Sequence, residues 1–208
     1  MPPLQSWFPT QIYQSRLLRQ ASASQQFNRE LLKECHQYRD FDDAGRKWSA
    51  KNYPGGYTSY GSLDKLHRIS STFGDLERHL QRHARSFAQA LDWDLGAGQL
   101  ILTDCWINIM PRQTAHSMHL HPNSVISGTY YVATPRGCAG LKFEDPRLSK
   151  FMAAPPRTAT ARRENQLYIT YPAAAGSIIL FESWLRHEVP ANPVAAERIS
   201  ISFNFAWD

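Results

Sequence analysis

The ten residues from Arg198 to Trp207 constrain the fold more than any other stretch of this chain. The odd positions are Ile199, Ile201, Phe203, Phe205 and Trp207, and the even positions are Arg198, Ser200, Ser202, Asn204 and Ala206. Successive side chains of a strand point to opposite faces, so five large apolar groups share one side and the polar set shares the other. Two arrangements satisfy that pattern. Either this is an ordinary half-buried strand with a wet polar face, or the polar face lines a cavity inside a β unit and helices cover the apolar face. Disorder is excluded for the chain as a whole, because 12% aromatic residues is too large an apolar content for a solvated coil. A spanning helix is excluded as well, since the longest apolar stretch, Ser177–Phe181, falls far short of the ~20 residues required.

The 208 residues suffice for one folded unit with its own core. The start, MPPLQSWFPT, has neither the basic nor the apolar region of a secretory signal. The three cysteines, Cys35, Cys105 and Cys138, are widely separated. Together these features lead to the expectation of a cytoplasmic protein with ordinary thiols. The net charge of +5 is a weak pointer to anionic partners.

Two textures divide the chain. Residues 1–98 read as a helical and loop region packed on a sheet, and residues 99–208 as a β core, the two making one folded unit. Phe27, Leu31, Leu32, Cys35 and Tyr38 recur at helical spacing. A second helix follows a Thr72–Asp75 capping signature, with Leu76, Leu80, Ala84, Phe87 and Leu91 on one face. Its other face carries Arg78, His79, Arg82, His83 and Arg85 and reads as solvated and basic. Between the helices, residues 52–62 form a Tyr- and Gly-rich loop suited to a pocket wall. Strands are expected at 100–110, 125–134, 140–143, 167–171, 177–185 and 198–207, with no helices between them. That order points to a sandwich, jelly roll or barrel rather than a parallel sheet. The long stretch at 146–165 is expected to be a lid or binding loop.

The segment H-S-M-H-L-H-P at 116–122 holds the densest histidine cluster. On a strand, His119 and His121 face one centre together, and His187 ends a distant apolar strand. Three imidazoles so arranged form a facial metal site, although residue type alone does not choose between iron, copper, nickel and zinc. Arg198 follows His187 by 11 positions.

HLHPNSVISGTYYV resembles the first ligand segment of the prolyl-hydroxylase-like group of Fe(II)/2-oxoglutarate oxygenases. GSIILFESWLRHEVPAN with ERISISFNF resembles the second, and with WINI these stretches are similar to a bacterial and phage subfamily of that superfamily. The resemblance is strong over Trp106–Asp208 and loose earlier, through SWFPT and YTSYGSL. It implies a double-stranded β-helix, the cupin-like jelly roll, with Fe(II) and 2-oxoglutarate as cofactors and a hydroxylase activity. It further implies that His119 and His187 are metal ligands, with His121 where most relatives carry Asp, and that Arg198 holds the far carboxylate of the cosubstrate. Tyr131 lies an even number of positions past His121, so it faces the same interior and would bond the same carboxylate, whereas Tyr130 would face away. Asn108 and Asn204 are candidate cosubstrate or substrate contacts. Because the third imidazole is neutral, two other readings stay open: a three-histidine cupin-type dioxygenase without 2-oxoglutarate, and a non-catalytic metal-binding module. The expected partner is a small-molecule or peptide substrate. No nucleic-acid signature and no membrane segment is present, and the sequence does not specify an oligomeric state.

Overall fold

The computed structural model describes residues 4–208, so the reading of the N-terminal start rests in part on residues outside that description. In chain order the elements are β1 (Ile12–Arg16), α1 (Ala21–Phe41), α2 (Asp43–Asn52), β2 (Tyr57–Thr58), α3 (Ser71–Ala90), β3 (Leu100–Met110), β4 (His116–His119), β5 (Ile126–Ala133), β6 (Leu141–Glu144), β7 (Tyr168–Tyr171), β8 (Ser177–Glu182), β9 (His187–Val189) and β10 (Arg198–Trp207). They form a six-stranded sheet in the order β1-β8-β5-β10-β3-β2 and a four-stranded sheet in the order β4-β9-β6-β7. All strand pairs within both sheets are antiparallel. This is the jelly-roll architecture with helices outside the larger sheet. Among the described residues, no helix is long and apolar enough to cross a membrane.

The alternation of β10 decides which face goes where. Ile199, Ile201, Phe203 and Phe205 are buried in one core with Leu31 and Cys35 of α1 and Phe73, Leu76, Leu80 and Phe87 of α3. Each such side chain contributes about 1.5–3 kcal/mol on burial. The facing positions Arg198, Ser200 and Asn204 are also buried, so the polar face of this strand is interior and not wet. A second core fills the space between the sheets, where Tyr131, Ile179 and Phe181 meet Leu141, Phe143 and Val189. Successive residues of β8 serve both cores, with Ile178 and Leu180 in the first and Ile179 and Phe181 in the second. Gly128 makes the central crossing possible, because a Cβ there would lie 2.6 Å from both the Ile179 carbonyl and the Phe203 ring.

Several local features differ from the sequence expectation. The N-terminal region supplies two strands, β1 pairing with β8 and β2 with β3, as well as helices. The cap of α3 is Ser70, whose hydroxyl accepts from the amides of Thr72 and Phe73, and Thr72 lies inside the helix. The hydroxyl two residues earlier stands at the helix start and can reach those free N–H groups. On the same helix His83 is not solvated: Tyr13 Oη lies 2.8 Å from its Nδ1, and its Nε2 faces the Leu17 carbonyl. The additional helix α2 is capped by Asp42, which accepts from Gly45 N–H at 2.8 Å. The other oxygen of Asp42 accepts from Tyr57 Oη at 2.9 Å and Ser62 Oγ at 2.5 Å. One buried carboxylate therefore starts a helix and fastens the Tyr-rich loop beside it.

Candidate active site

The smaller sheet brings two of the histidines together by register. His119 is the last residue of β4 and pairs across to His187, the first of β9. His121 lies just past β4, where its N–H donates to the Ser183 carbonyl at 3.0 Å and ties it to the turn after β8. The ring centroids are 4.3 Å apart for His119 and His187, 5.1 Å for His121 and His187, and 5.2 Å for His119 and His121. One ring nitrogen from each lies within 4.8 Å of the others.

The tautomers are fixed from behind. His119 Nδ1 lies 2.7 Å from the Ser117 carbonyl, and His187 Nδ1 lies 2.9 Å from the Leu185 carbonyl. A carbonyl only accepts, so both Nδ1 atoms carry the proton and both Nε2 atoms keep a free lone pair. His121 Nδ1 lies 2.6 Å from Asn204 Oδ1. That amide is oriented by Ser127 Oγ, which donates to Oδ1 at 2.9 Å, and by Asp104 Oδ2, which accepts from Nδ2 at 3.3 Å. His121 therefore holds the same tautomer. Burial, reinforced by the neighbouring imidazoles, holds the pKa of His187 at about 3, and burial lowers that of His121 against the pull of Asn204. Three imidazoles with oriented outer hydrogen bonds form a donor set that fits a divalent transition metal.

Arg198 occupies the space between the sheets and is 1% exposed. Its Nε donates to the Ala139 carbonyl at 2.9 Å, its Nη1 donates to Ser200 Oγ at 3.1 Å, and its guanidinium lies 5.1 Å from the Tyr131 ring centre. Among the described residues no carboxylate pairs with it. A buried cation costs several kcal/mol unless an anion meets it. Around it, the hydroxyls of Tyr131 and Tyr53 are buried without a hydrogen-bond partner. Burial raises the pKa of both phenols, and the charge of Arg198 opposes that shift. A buried guanidinium flanked by two unspent phenol donors is chemically fitted to a carboxylate. Asn108 donates to Ser202 Oγ at 3.0 Å and keeps a buried, unpartnered Oδ1.

In front of the histidines lies a cavity of about 610 Å³, walled by Trp48, Tyr53, Tyr60 and Trp106 and lined also by Asp104 and Asn204. No residue of 146–165 lines it; that loop encloses a separate basic hollow around Arg147, Arg157 and Arg162. The wall comes instead from α2 and the loop at 52–62, the segment whose composition suggested a pocket wall. Tyr131 faces Arg198, while Tyr130 points to the helices and donates to Asn28 Oδ1 at 2.9 Å. Tyr53, Asp104 and His116 were not singled out by the sequence. His116 stacks on Tyr53 at 4.3 Å with its Nε2 buried and unpartnered. Only Asp104 carried a readable sign, as a charged residue inside an otherwise apolar strand.

Comparison with known proteins agrees with this geometry. A family model described as "Putative 2OG-Fe(II) oxygenase" matches residues 104–204. No curated protein matches the chain. Among solved structures, a prolyl-4-hydroxylase from Pseudomonas putida is similar over 95% of this chain and 92% of its own, at 15% identity and a TM-score of 0.60. The non-heme alpha ketoglutarate dependent epimerase SnoN from nogalamycin biosynthesis is similar over 95% and 76%, at 15% identity and 0.60. HygX from Streptomyces hygroscopicus, solved with nickel, 2-oxoglutarate and hygromycin B, is similar over 95% and 83%, at 12% identity and 0.60. At these identities the likeness establishes the fold.

Proposed function

This chain belongs to the 2OG-Fe(II) oxygenase superfamily, whose members are Fe(II)- and 2-oxoglutarate-dependent enzymes, and we propose that it hydroxylates its substrate through a three-histidine iron site. His119, His121 and His187 hold the metal through Nε2. Arg198 binds the far carboxylate of 2-oxoglutarate, and Tyr131 and Tyr53 donate to it. Iron(II) with bound 2-oxoglutarate would supply oxidation by dioxygen, one oxygen atom going into the substrate C–H bond as a hydroxyl and the other into succinate as the cosubstrate loses carbon dioxide. The protein's own work is positional. The carbonyls of Ser117 and Leu185 and the amide of Asn204 hold three imidazoles in one tautomer, and the closed space between the sheets keeps water from the Arg198 carboxylate site. Asn204 acts here as a positioning residue behind His121, and Asn108 offers its free Oδ1 to the same interior.

The observation that carries this reading is the buried, carboxylate-free guanidinium of Arg198 beside two unpartnered phenols. A dioxygenase without 2-oxoglutarate has no use for that cation, and neither has an inert metal-binding module. The substrate occupies the aromatic-walled cavity, whose volume suits a small molecule or a single side chain. The helical region 1–98 and the β core 99–208 act as one unit, a view supported by β1 and β2 joining the larger sheet. A cytoplasmic location is supported by the three free thiols.

The test is anaerobic addition of Fe(II) and then 2-oxoglutarate, followed by visible absorption. A metal-to-ligand charge-transfer band that needs both additions is expected. Iron binding with no change on adding 2-oxoglutarate would return the site to the cosubstrate-free reading.

A further inference from the structure

We infer that the substrate of this cavity carries a cationic amine, docked between the Asp104 carboxylate and the aromatic corner of Trp106 and Tyr60. The inference rests on the oxygenase reading for which cavity is the substrate's, and it adds the chemical class. The first observation is charge. The sequence holds 23 Lys and Arg against 18 Asp and Glu, yet among the described residues, histidines apart, the only charged side chain lining this cavity is Asp104. A phosphate- or carboxylate-bearing substrate entering here meets a carboxylate and no cationic lysine or arginine. The basic hollow at Arg147, Arg157 and Arg162 lies elsewhere on the surface.

The second observation is that Asp104 is uncompensated. Among the described residues it forms no ion pair. Both hydrogen bonds it accepts, from Thr103 Oγ1 at 2.8 Å and Asn204 Nδ2 at 3.3 Å, end on Oδ2, which leaves Oδ1 without one. The nearby His67 does not neutralise it, because burial holds that imidazole uncharged, with a pKa of about 4. The third observation is the shape of the wall. The Trp106 and Tyr60 rings lie 5.1 Å apart at 60°, and Trp48 continues the corner 6.5 Å from Tyr60 at 66°. Gly61 admits the Trp48 ring, since a Cβ there would lie 2.5 Å from it. Aromatic faces at such angles around a carboxylate attract an ammonium group and repel an anion.

Three probes of similar size and different charge test this: 2-phenylethylammonium, 2-phenylethanol and phenylacetate. Each is titrated into the full chain by protein-observed NMR, both as purified and after anaerobic loading with Fe(II) and 2-oxoglutarate. The ammonium is expected to bind about tenfold tighter than the alcohol, and the carboxylate weakest. Asp104→Asn should abolish the preference, Asp104→Glu should keep it, and Trp106→Leu should weaken the ammonium more than the alcohol. The inference is overturned if phenylacetate or the alcohol matches the ammonium, if Asp104→Asn keeps the preference, or if none of the three binds at millimolar concentration. Amine preference without the charge-transfer band would overturn the oxygenase reading alone, and the converse would overturn this inference alone.

Discussion

Asn204 places its amide oxygen 2.6 Å from His121 Nδ1 and its amide nitrogen 3.3 Å from Asp104 Oδ2, so a chain of three side chains runs from β3 through β10 to the histidine cluster. The β10–β3 register makes this possible: Asn204 pairs directly with Asp104, and the shift that follows begins only between Asn204 and Phe205. An outer hydrogen bond of this kind fixes the ligand's ring and raises its basicity, and losing one typically costs about 10–100-fold in metal affinity. Asn204→Ala should therefore weaken Fe(II) by about that factor, while Asn204→Asp, which still accepts from Nδ1–H, should retain most of it. Competition titration with a metal-sensitive dye reads this directly. Parent-like affinity in Asn204→Ala would show that His121 needs no such support.

Arg198 gives a prediction of opposite sign. Its guanidinium touches no metal-facing nitrogen, so Arg198→Ala should leave Fe(II) binding close to the parent. Removing one partner of a desolvated charge pair costs about 2–5 kcal/mol, so 2-oxoglutarate should bind roughly 30- to 5,000-fold more weakly. Arg198→Lys keeps the charge but not the planar fork and should recover only part of the affinity. The measurement is the 2-oxoglutarate concentration at half-maximal charge-transfer absorbance. Equal values in parent and Arg198→Ala would remove Arg198 from the cosubstrate site.

Acid should destabilise the metal-free protein through its buried imidazoles. Burial lowers the pKa of His67 from 6.5 to about 4, and those of His116 and His187 from 6.5 to about 3. The unfolded chain takes up protons at all three as the pH falls through 6.5, while the folded chain stays unprotonated until much lower pH. Their stabilisation is thus complete above about pH 7 and declines as the pH falls from 6.5 toward 4. The thermal midpoint of the metal-free protein should drop steadily over that window. A midpoint flat from pH 7 to 4.5 would mean that these imidazoles are solvated in the folded state.

The long strands of the larger sheet were readable because they are buried on both faces and bounded by turn residues, whereas β4 and β9 of the smaller sheet were not among the expected strands. Leu100–Met110 and Arg198–Trp207 begin and end where the β-branched and aromatic runs do. The two-residue β2 and the five-residue β1 were not readable, since they lie in the helical half and are strands only because β3 and β8 offer them an edge. The histidines were legible as a cluster because three of them fall within six residues. Tyr53 was not, because a tyrosine in a Gly-rich loop gives no sign of the sheet against which it folds. Asn204 was legible as an interior polar residue, but its attachment to His121 depends on a long-range approach that no spacing encodes. The same applies to Asp104, whose partner on β10 is set by strand register.

His121 is the position where this chain departs from the commoner carboxylate, and its geometry makes a sharp prediction. Its backbone N–H is bonded to Ser183, its Nδ1 to Asn204, and its ring lies about as far from His187 as from His119. A displaced side chain would have no reason to hold both bonds with its ring about 5 Å from each of the other two. His121→Ala should therefore lower Fe(II) affinity about as severely as His119→Ala or His187→Ala, and by more than Asn204→Ala. His121→Asp should retain iron, because it restores two imidazoles and a carboxylate, although the shorter side chain gives up the bond to Asn204. Three neutral ligands leave iron(II) with its full charge, which favours the anionic cosubstrate, so His121→Asp should also bind 2-oxoglutarate more weakly than the parent. If His121→Ala bound iron like the parent while the other two alanine variants lost it, the site would be a two-histidine centre and His121 a packing residue.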